Sequence, residues 1–285
     1  MNRGSNHPLE HQTASHNQSP REQHHVSKLA YVAARPSTLL LVALLWFSQC
    51  LAAPATARAS NLHVDLALVL GLDISNSVDW HEYRLQRKGL AHALRHPDVV
   101  AAIRRGHHRR IAVVVVHWSG RHSQKIAIPW TVISGAADAG ALSRRVTDMP
   151  RLFGGHATHI AGMIGFGTNL LRGPTIDSGH VIGQSLVAAR KVIDISGDGH
   201  DNTTKAPGRA RDEAIAAGIT INGLAIENEE KNLHDYYRSS VIGGPGAFVI
   251  RVSRYQDFGE AMKRKLIREI DTKLLTNRLG ADWPS

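Results

Sequence analysis

Between Val64 and Leu72 the chain is almost continuously apolar: Leu66, Leu68 and Leu70 alternate with Ala67 and Val69, so both faces of an extended segment are greasy. That pattern predicts a strand covered on both sides by helices. It stops in a polar turn, where Asp73, Ser75 and Ser77 follow one another at period two. Further strands are expected over 110–119, 125–132, 191–196, 219–226 and 248–252. Helical spacing covers 79–96, which ends before Pro97, then 98–105, 136–146 and 158–171. It returns over 206–217, closed by Gly218, over 232–239, and over an amphipathic stretch, 257–275. Strands alternating with helices of this length predict an α/β fold: a doubly wound, mainly parallel, Rossmann-like sheet with helices on both faces. Only 110–119 and 125–132 lack a helix between them. They are expected to form a hairpin that adds one antiparallel strand at the edge.

In sheets of this kind ligands sit beyond the carboxyl ends of the strands, where the strand order reverses. Three polar segments fall at such ends. The first is Asp73, Ser75 and Ser77, one carboxylate and two hydroxyls, which are the hard oxygen donors a hard divalent cation takes. The second is G-G-H-A-T-H-I-A-G, Gly154 to Gly162, a glycine-rich loop that presents Thr158 at the start of a helix. The third is V-I-D-I-S-G-D-G-H-D-N, Val192 to Asn202, a strand that breaks at Gly197 and exposes Asp198. Each has a plainer reading. Ser77 or Asp79 could cap the helix that follows, and Thr158 its own helix. Asp198-Gly199 could be an ordinary turn.

Taken together, D-x-S-x-S, a later Thr and a still later Asp-Gly after a strand resemble the metal-ion-dependent adhesion site of von Willebrand factor A domains. Here the matching positions are Asp73, Ser75, Ser77, Thr158 and Asp198. The stretches L-A-L-V-L-G-L-D-I-S-N-S-V-D, V-I-D-I-S-G-D-G-H-D-N and V-I-G-G-P-G-A-F are also similar to an uncharacterised group of secreted bacterial A-type domains. The resemblance implies the A-type sheet over residues 60–285. It also implies a divalent cation, magnesium first and manganese or calcium as alternatives, held by those five residues. The implied partner is a protein ligand that presents an Asp or Glu to complete the ion's shell. Two departures stand out: the loop 172–187 is longer than the pattern needs, and His156 and His159 crowd Thr158.

The ends of the chain change the picture less. Residues 1–37 have the polar composition of a disordered extension. Residues 38–59 combine the apolar run L-L-L-V-A-L-L-W-F-S-Q-C-L-A-A with the A-x-A pattern Ala57-Arg58-Ala59, as in a secretory signal or, if uncleaved, a membrane anchor. The expected location is therefore secreted or periplasmic. Any membrane contact would come through that segment. Cys50 is the only cysteine and lies within it, so a cleaved chain would have neither disulfides nor thiolate chemistry.

The chain has 285 residues, 42% of them hydrophobic and 20% charged, and a formal net charge of +10. Its basic residues are dispersed, without aromatic interleaving or zinc-finger spacing, so specific nucleic-acid binding is not indicated. A charge-driven polyanion binder remains an alternative class. Enzymatic function is disfavoured, because there is no nucleophile elbow, P-loop or dinucleotide fingerprint. A metal-dependent hydrolase is the other alternative, with His117, His156, His159 and His200 as acid, base or extra ligands. Asp194, inside an apolar strand, needs a buried partner. It either supports Asp198 from behind or makes a purely structural bond.

Overall fold

The computed structural model describes residues 61–154, 157–173, 175–176, 184–203 and 206–271. The strands are β1 (Leu62–Asp73), β2 (Ile111–Trp118), β3 (Gln124–Ile133), β4 (Thr175–Ile176), β5 (Gln184–Gly197), β6 (Ile219–Ile226) and β7 (Val249–Val252). The helices are α1 (Trp80–Leu94), α2 (Pro97–Arg105), α3 (Ala136–Asp148), α4 (Ile160–Arg172), α5 (Gly208–Ala216), α6 (Leu233–Tyr236) and α7 (Phe258–Ile270). A π-helical turn, Tyr237–Val241, continues α6. The order across the sheet is β3-β2-β1-β5-β6-β7, with β4 pairing β5 off that path. All neighbours on the path are parallel except β2 and β3, so the hairpin supplies the antiparallel edge as expected.

Period-two alternation along β1 builds two cores. Leu66, Leu68, Leu70 and Leu72 pack with α1, α2, α3 and α7, whereas Ala67 and Val69 pack with α4 and the 233–241 segment. Both sets are removed from water, which is why the strand reads as one apolar run. Burying each large side chain contributes roughly 1.5–3 kcal/mol. Helices α1 and α7 cross where Gly89 faces Gly259; a Cβ on Gly89 would stand 2.9 Å from the Gly259 Cα. The stripe of α7 that faces the sheet is Phe258, Ala261, Met262, Lys265, Leu266, Glu269 and Ile270. Two of those residues are charged, and both are fully buried.

Helix starts follow the local sequence. Asp79 caps α1, accepting from the Glu82 N–H at 2.8 Å, while the Glu82 carboxylate accepts from the Asp79 N–H at 2.9 Å. Pro97 opens α2, where its missing N–H costs nothing. Gly218, at φ 73°, closes α5 in the left-handed region.

The structure departs from the sequence expectation on the far side of β5. That strand begins at Gln184, and its first residues pair with Thr175–Ile176, so part of the long 172–187 stretch is a small antiparallel ladder. Polar and small residues there hide the strand signal. The end of the last expected helix, past 271, lies outside the described residues, as do the N-terminal extension and Cys50. Among the described residues no helix is long and apolar enough to cross a membrane.

Candidate metal centre

From β1 the chain proceeds to β2 on one side, and β5 comes to lie on the other, so the strand order reverses between β1 and β5. Leu72 is level with Ser196 in the β1–β5 ladder. That register brings the ends of both strands, and hence Asp73 and Asp198, to one place. Gly197 makes the approach possible: a Cβ there would lie 3.0 Å from Asp73 Oδ2 and 2.7 Å from the Tyr237 hydroxyl.

The turn after β1 is held by its own side chain, since the Ser75 N–H donates to Asp73 Oδ1 at 2.8 Å. Ser75 and Ser77 share a hydrogen bond at 3.2 Å between their hydroxyls. Ser77 donates to Asp198 Oδ1 at 2.7 Å. Because Asp79 and Glu82 cap α1 between them, Ser77 is released from capping and reaches across to β5. Thr158 is likewise no cap. The N-cap position of α4 belongs to His159 and has no side-chain cap bond. Instead the Thr158 N–H donates to Asn202 Oδ1 at 2.9 Å, and the Asn202 N–H donates to the Thr158 carbonyl at 3.1 Å. This two-way clamp sets the Thr158 loop against the Asp198 loop, with the Thr158 hydroxyl 3.5 Å from where a Gly199 Cβ would sit. Ser77, Thr158 and Asp198 line one cleft of about 210 Å3 together with His200, Glu229 and Glu230.

Asp73 is fully buried, and its pKa is pushed up to about 8 by that burial and then by the Asp198 charge. Burial raises Asp198 as well, against hydrogen bonds from Ser77 and from Tyr255, whose hydroxyl donates to Asp198 Oδ2 at 2.7 Å. Neither carboxylate has an ion-pair partner among the described residues, and Asp73 Oδ2 makes no hydrogen bond. Two buried carboxylates with hydroxyls around them, offset only by the nearby Arg151 and by no ion pair among the described residues, fit a small hard cation. Asp73, Ser75, Ser77, Thr158 and Asp198 are the residues that would hold it. Among the described residues no group of three or more His, Cys, Asp or Glu forms a metal cluster of another kind.

Several contributors escape sequence reasoning. Arg151 Nη2 donates to the carbonyls of Ile74 and Ser75, at 2.9 and 3.1 Å, and stiffens the turn. Gln86 Nε2 donates to the Asp73 carbonyl at 3.1 Å. Tyr255 lies 57 positions from Asp198, and no local pattern announces the contact. Asn202 stands within the V-I-D-I-S-G-D-G-H-D-N stretch and could have been found there.

The histidines divide. His117 is buried, 3.5 Å from the Tyr83 hydroxyl, with its pKa lowered to about 4 by burial. His159 is buried at the head of α4. His200 opens on the cleft and pairs with Glu230 at 3.0 Å. His156 lies outside the described residues. Asp194 does not back Asp198; it pairs with Lys265 at 2.8 Å, the structural alternative.

A search of curated proteins finds no match. Among solved structures, the chain is similar to a von Willebrand factor type A protein from Catenulispora acidiphila, at 14% identity and TM-score 0.49, over 73% of this chain and 43% of that one. It is similar to proximal thread matrix protein 1 from the mussel byssus, in a form with a zinc-occupied MIDAS motif, at 15% identity and TM-score 0.46, over 75% and 49%. The vWF domain of the type V pili tip protein Mfa5 from Porphyromonas gingivalis matches at 10% identity and TM-score 0.47, over 78% and 98%. The chain thus spans less than half the length of the first two. Strand order, the antiparallel edge and the helices on both faces make this a von Willebrand factor A-type fold. Residues 63–274 match the model of a family described as protein of unknown function (DUF1194), and the chain belongs to that family.

Proposed function

We propose that the protein is a binding module of the adhesion type, whose divalent cation is held by Asp73, Ser75, Ser77, Thr158 and Asp198. The carrying observation is the buried Asp73–Asp198 pair at the switch point, ringed by hydroxyls and without an ion pair to any described residue. Magnesium suits this donor set, with manganese or calcium as alternatives. When bound, the ion supplies a position that a partner's Asp or Glu can complete. The chain's own part is to keep that position rigid and open: Arg151, Gln86 and Asn202 hold the loops, and Tyr255 orients Asp198. Calorimetry tests the reading. The wild-type chain is expected to take up one magnesium or manganese per molecule, and Asp73→Ala to take up none while still unfolding cooperatively in chelator. Wild-type metal affinity in Asp73→Ala would sink the assignment.

Two other readings stay measurable. Metal-dependent turnover of ester or phosphoester substrates that vanishes in His200→Gln would make the cleft an active site. Binding that falls with salt and ignores chelator would point to polyanions. We also propose export through the 38–59 segment, outside the described residues. Intact mass of the protein from its native cell should show the first fifty-odd residues missing, and full-length cytoplasmic protein would refute it.

A further inference from the structure

The turn that carries Ser75 and Ser77 has a second side. Asn76, which lines the cleft described above, also lines a shallow depression of about 530 Å3 formed with Val78, Trp80, Arg151 and Phe153. Trp80 is 61% exposed, more than any other large apolar side chain among the described residues. Its ring is nonetheless held in place. It stands edge-on to Tyr83, at 6.0 Å and 83°, and the Arg151 guanidinium lies 5.4 Å from its centre. Arg151 is anchored in turn to the carbonyls of Ile74 and Ser75. The site turn, the arginine and the indole therefore form one stiff unit.

Leaving an indole in water is unfavourable, and holding it still there loses entropy. Tryptophan and arginine dominate the energetics of protein interfaces, because they bring large, rigid area to a contact at low entropic cost. Charges of both signs border this apolar floor: Arg151 and Asp79 line it, and the Lys125 ammonium stands 5.7 Å from the centre of the Phe153 ring. The acidic residue of the partner is therefore called for by the metal position in the adjoining cleft, and the depression itself calls for an apolar group.

Resting on the metal-site reading, we infer that the Trp80–Arg151–Phe153 depression is a specificity subsite. It receives a large apolar side chain that stands beside the acidic residue of the partner. Two depressions with a shared wall are bridged by about two or three residues of extended chain, at ~3.3 Å each. The partner is therefore a polypeptide with an exposed acidic residue and an apolar one within about three positions.

A phage-displayed random dodecapeptide library, panned on the full chain in magnesium and eluted with chelator, provides the test. The expected clones pair an Asp or Glu with Phe, Trp, Leu, Ile or Met within about three positions. A synthetic consensus peptide should lose about tenfold or more in affinity for Trp80→Ala and recover most of it for Trp80→Phe. The magnesium affinity of both variants should stay within about twofold, since Trp80 touches no proposed ligand. Chelator-eluted clones with an acid but no apolar neighbour would overturn the subsite and leave the metal reading standing. So would an unchanged peptide affinity in Trp80→Ala. An absence of chelator-eluted clones would overturn both. The wild-type consensus decides the matter even if a variant fails to fold.

Discussion

Asp194 and Asp198 stand four residues apart, one inside β5 and one just past its end, and both are buried. The chain treats them in opposite ways. Asp194 receives its countercharge from the same polypeptide: Lys265, on the buried stripe of α7, pairs with it at 2.8 Å and with Glu269 at 2.7 Å. Asn222 Nδ2 donates to Glu269 Oε1 at 3.0 Å, and Asn222 Oδ1 accepts from the Phe248 N–H at 3.1 Å, which closes the cluster. One ammonium between two carboxylates leaves a negative charge over, and burial pushes Asp194 up to about 7 in spite of Lys265. Asp198 faces Asp73 instead, among hydroxyls, with no cation of the chain paired to either. The first arrangement carries its own cation. The second has no ion pair among the described residues, and it is there that the proposed cation would sit. His117, beneath the same end of the sheet, shows a third solution, which is to stay neutral.

The largest effect should come from removing the built-in cation. Lys265→Met leaves Asp194 and Glu269 buried without their shared ammonium and is expected to cost about 3–5 kcal/mol in urea unfolding, with magnesium affinity nearly unchanged. A loss below about 1 kcal/mol would mean that the two carboxylates simply take up protons, and the contrast with Asp198 would collapse.

The neutral histidine should show itself next, through pH. Burial pushes the folded imidazole down to about 4, below its ordinary value of 6.5. Between those values the unfolded imidazole binds a proton and the folded one does not, so stability falls as pH falls from 6.5 toward 4. The contribution is on the order of 3 kcal/mol at most. His117→Gln should flatten the pH dependence of unfolding by that amount. Parallel curves for the two proteins would show that His117 is protonated in the fold.

The smallest effect tests how closely the two strand ends must approach. Gly197→Ala puts a methyl group against Asp73 Oδ2 and the Tyr237 hydroxyl. It is expected to cost about 1–3 kcal/mol through overpacking and to weaken magnesium binding as Asp73 is displaced. Unaltered magnesium affinity would place the ion away from Asp73 Oδ2.

Much of this could be read from the chain, and the parts that could not have a common cause. Alternation along 64–72 announces a strand covered on both faces, and the missing helix between 119 and 125 announces the hairpin, because both are local patterns of period or spacing. The five proposed ligands are legible because Asp73, Ser75, Ser77 and Asp198 sit where an apolar strand breaks into a polar turn, and Thr158 where a glycine-rich loop runs into a helix. β4 and the early start of β5 were missed, since no apolar pattern marks them. Arg151, Gln86 and Tyr255 were missed for a different reason. Each acts on the site from a distant element, and its own neighbourhood in the sequence is that of an ordinary helix or loop.

By itself, then, the sequence determines the layers, the two apolar faces and the order in which the oxygen donors occur, because burial periodicity and turn chemistry act over a few residues. Tertiary structure alone decides which donors meet. The register of Leu72 against Ser196 brings Asp73 to Asp198, and the Asn202 clamp brings Thr158 to the Asp198 loop. The crossing of α7 over the sheet gives Lys265 to Asp194 and not to Asp198. Charge balance in a buried place depends on what lies within a few ångströms, and that distance is a property of the packed fold, which no stretch of the chain carries alone.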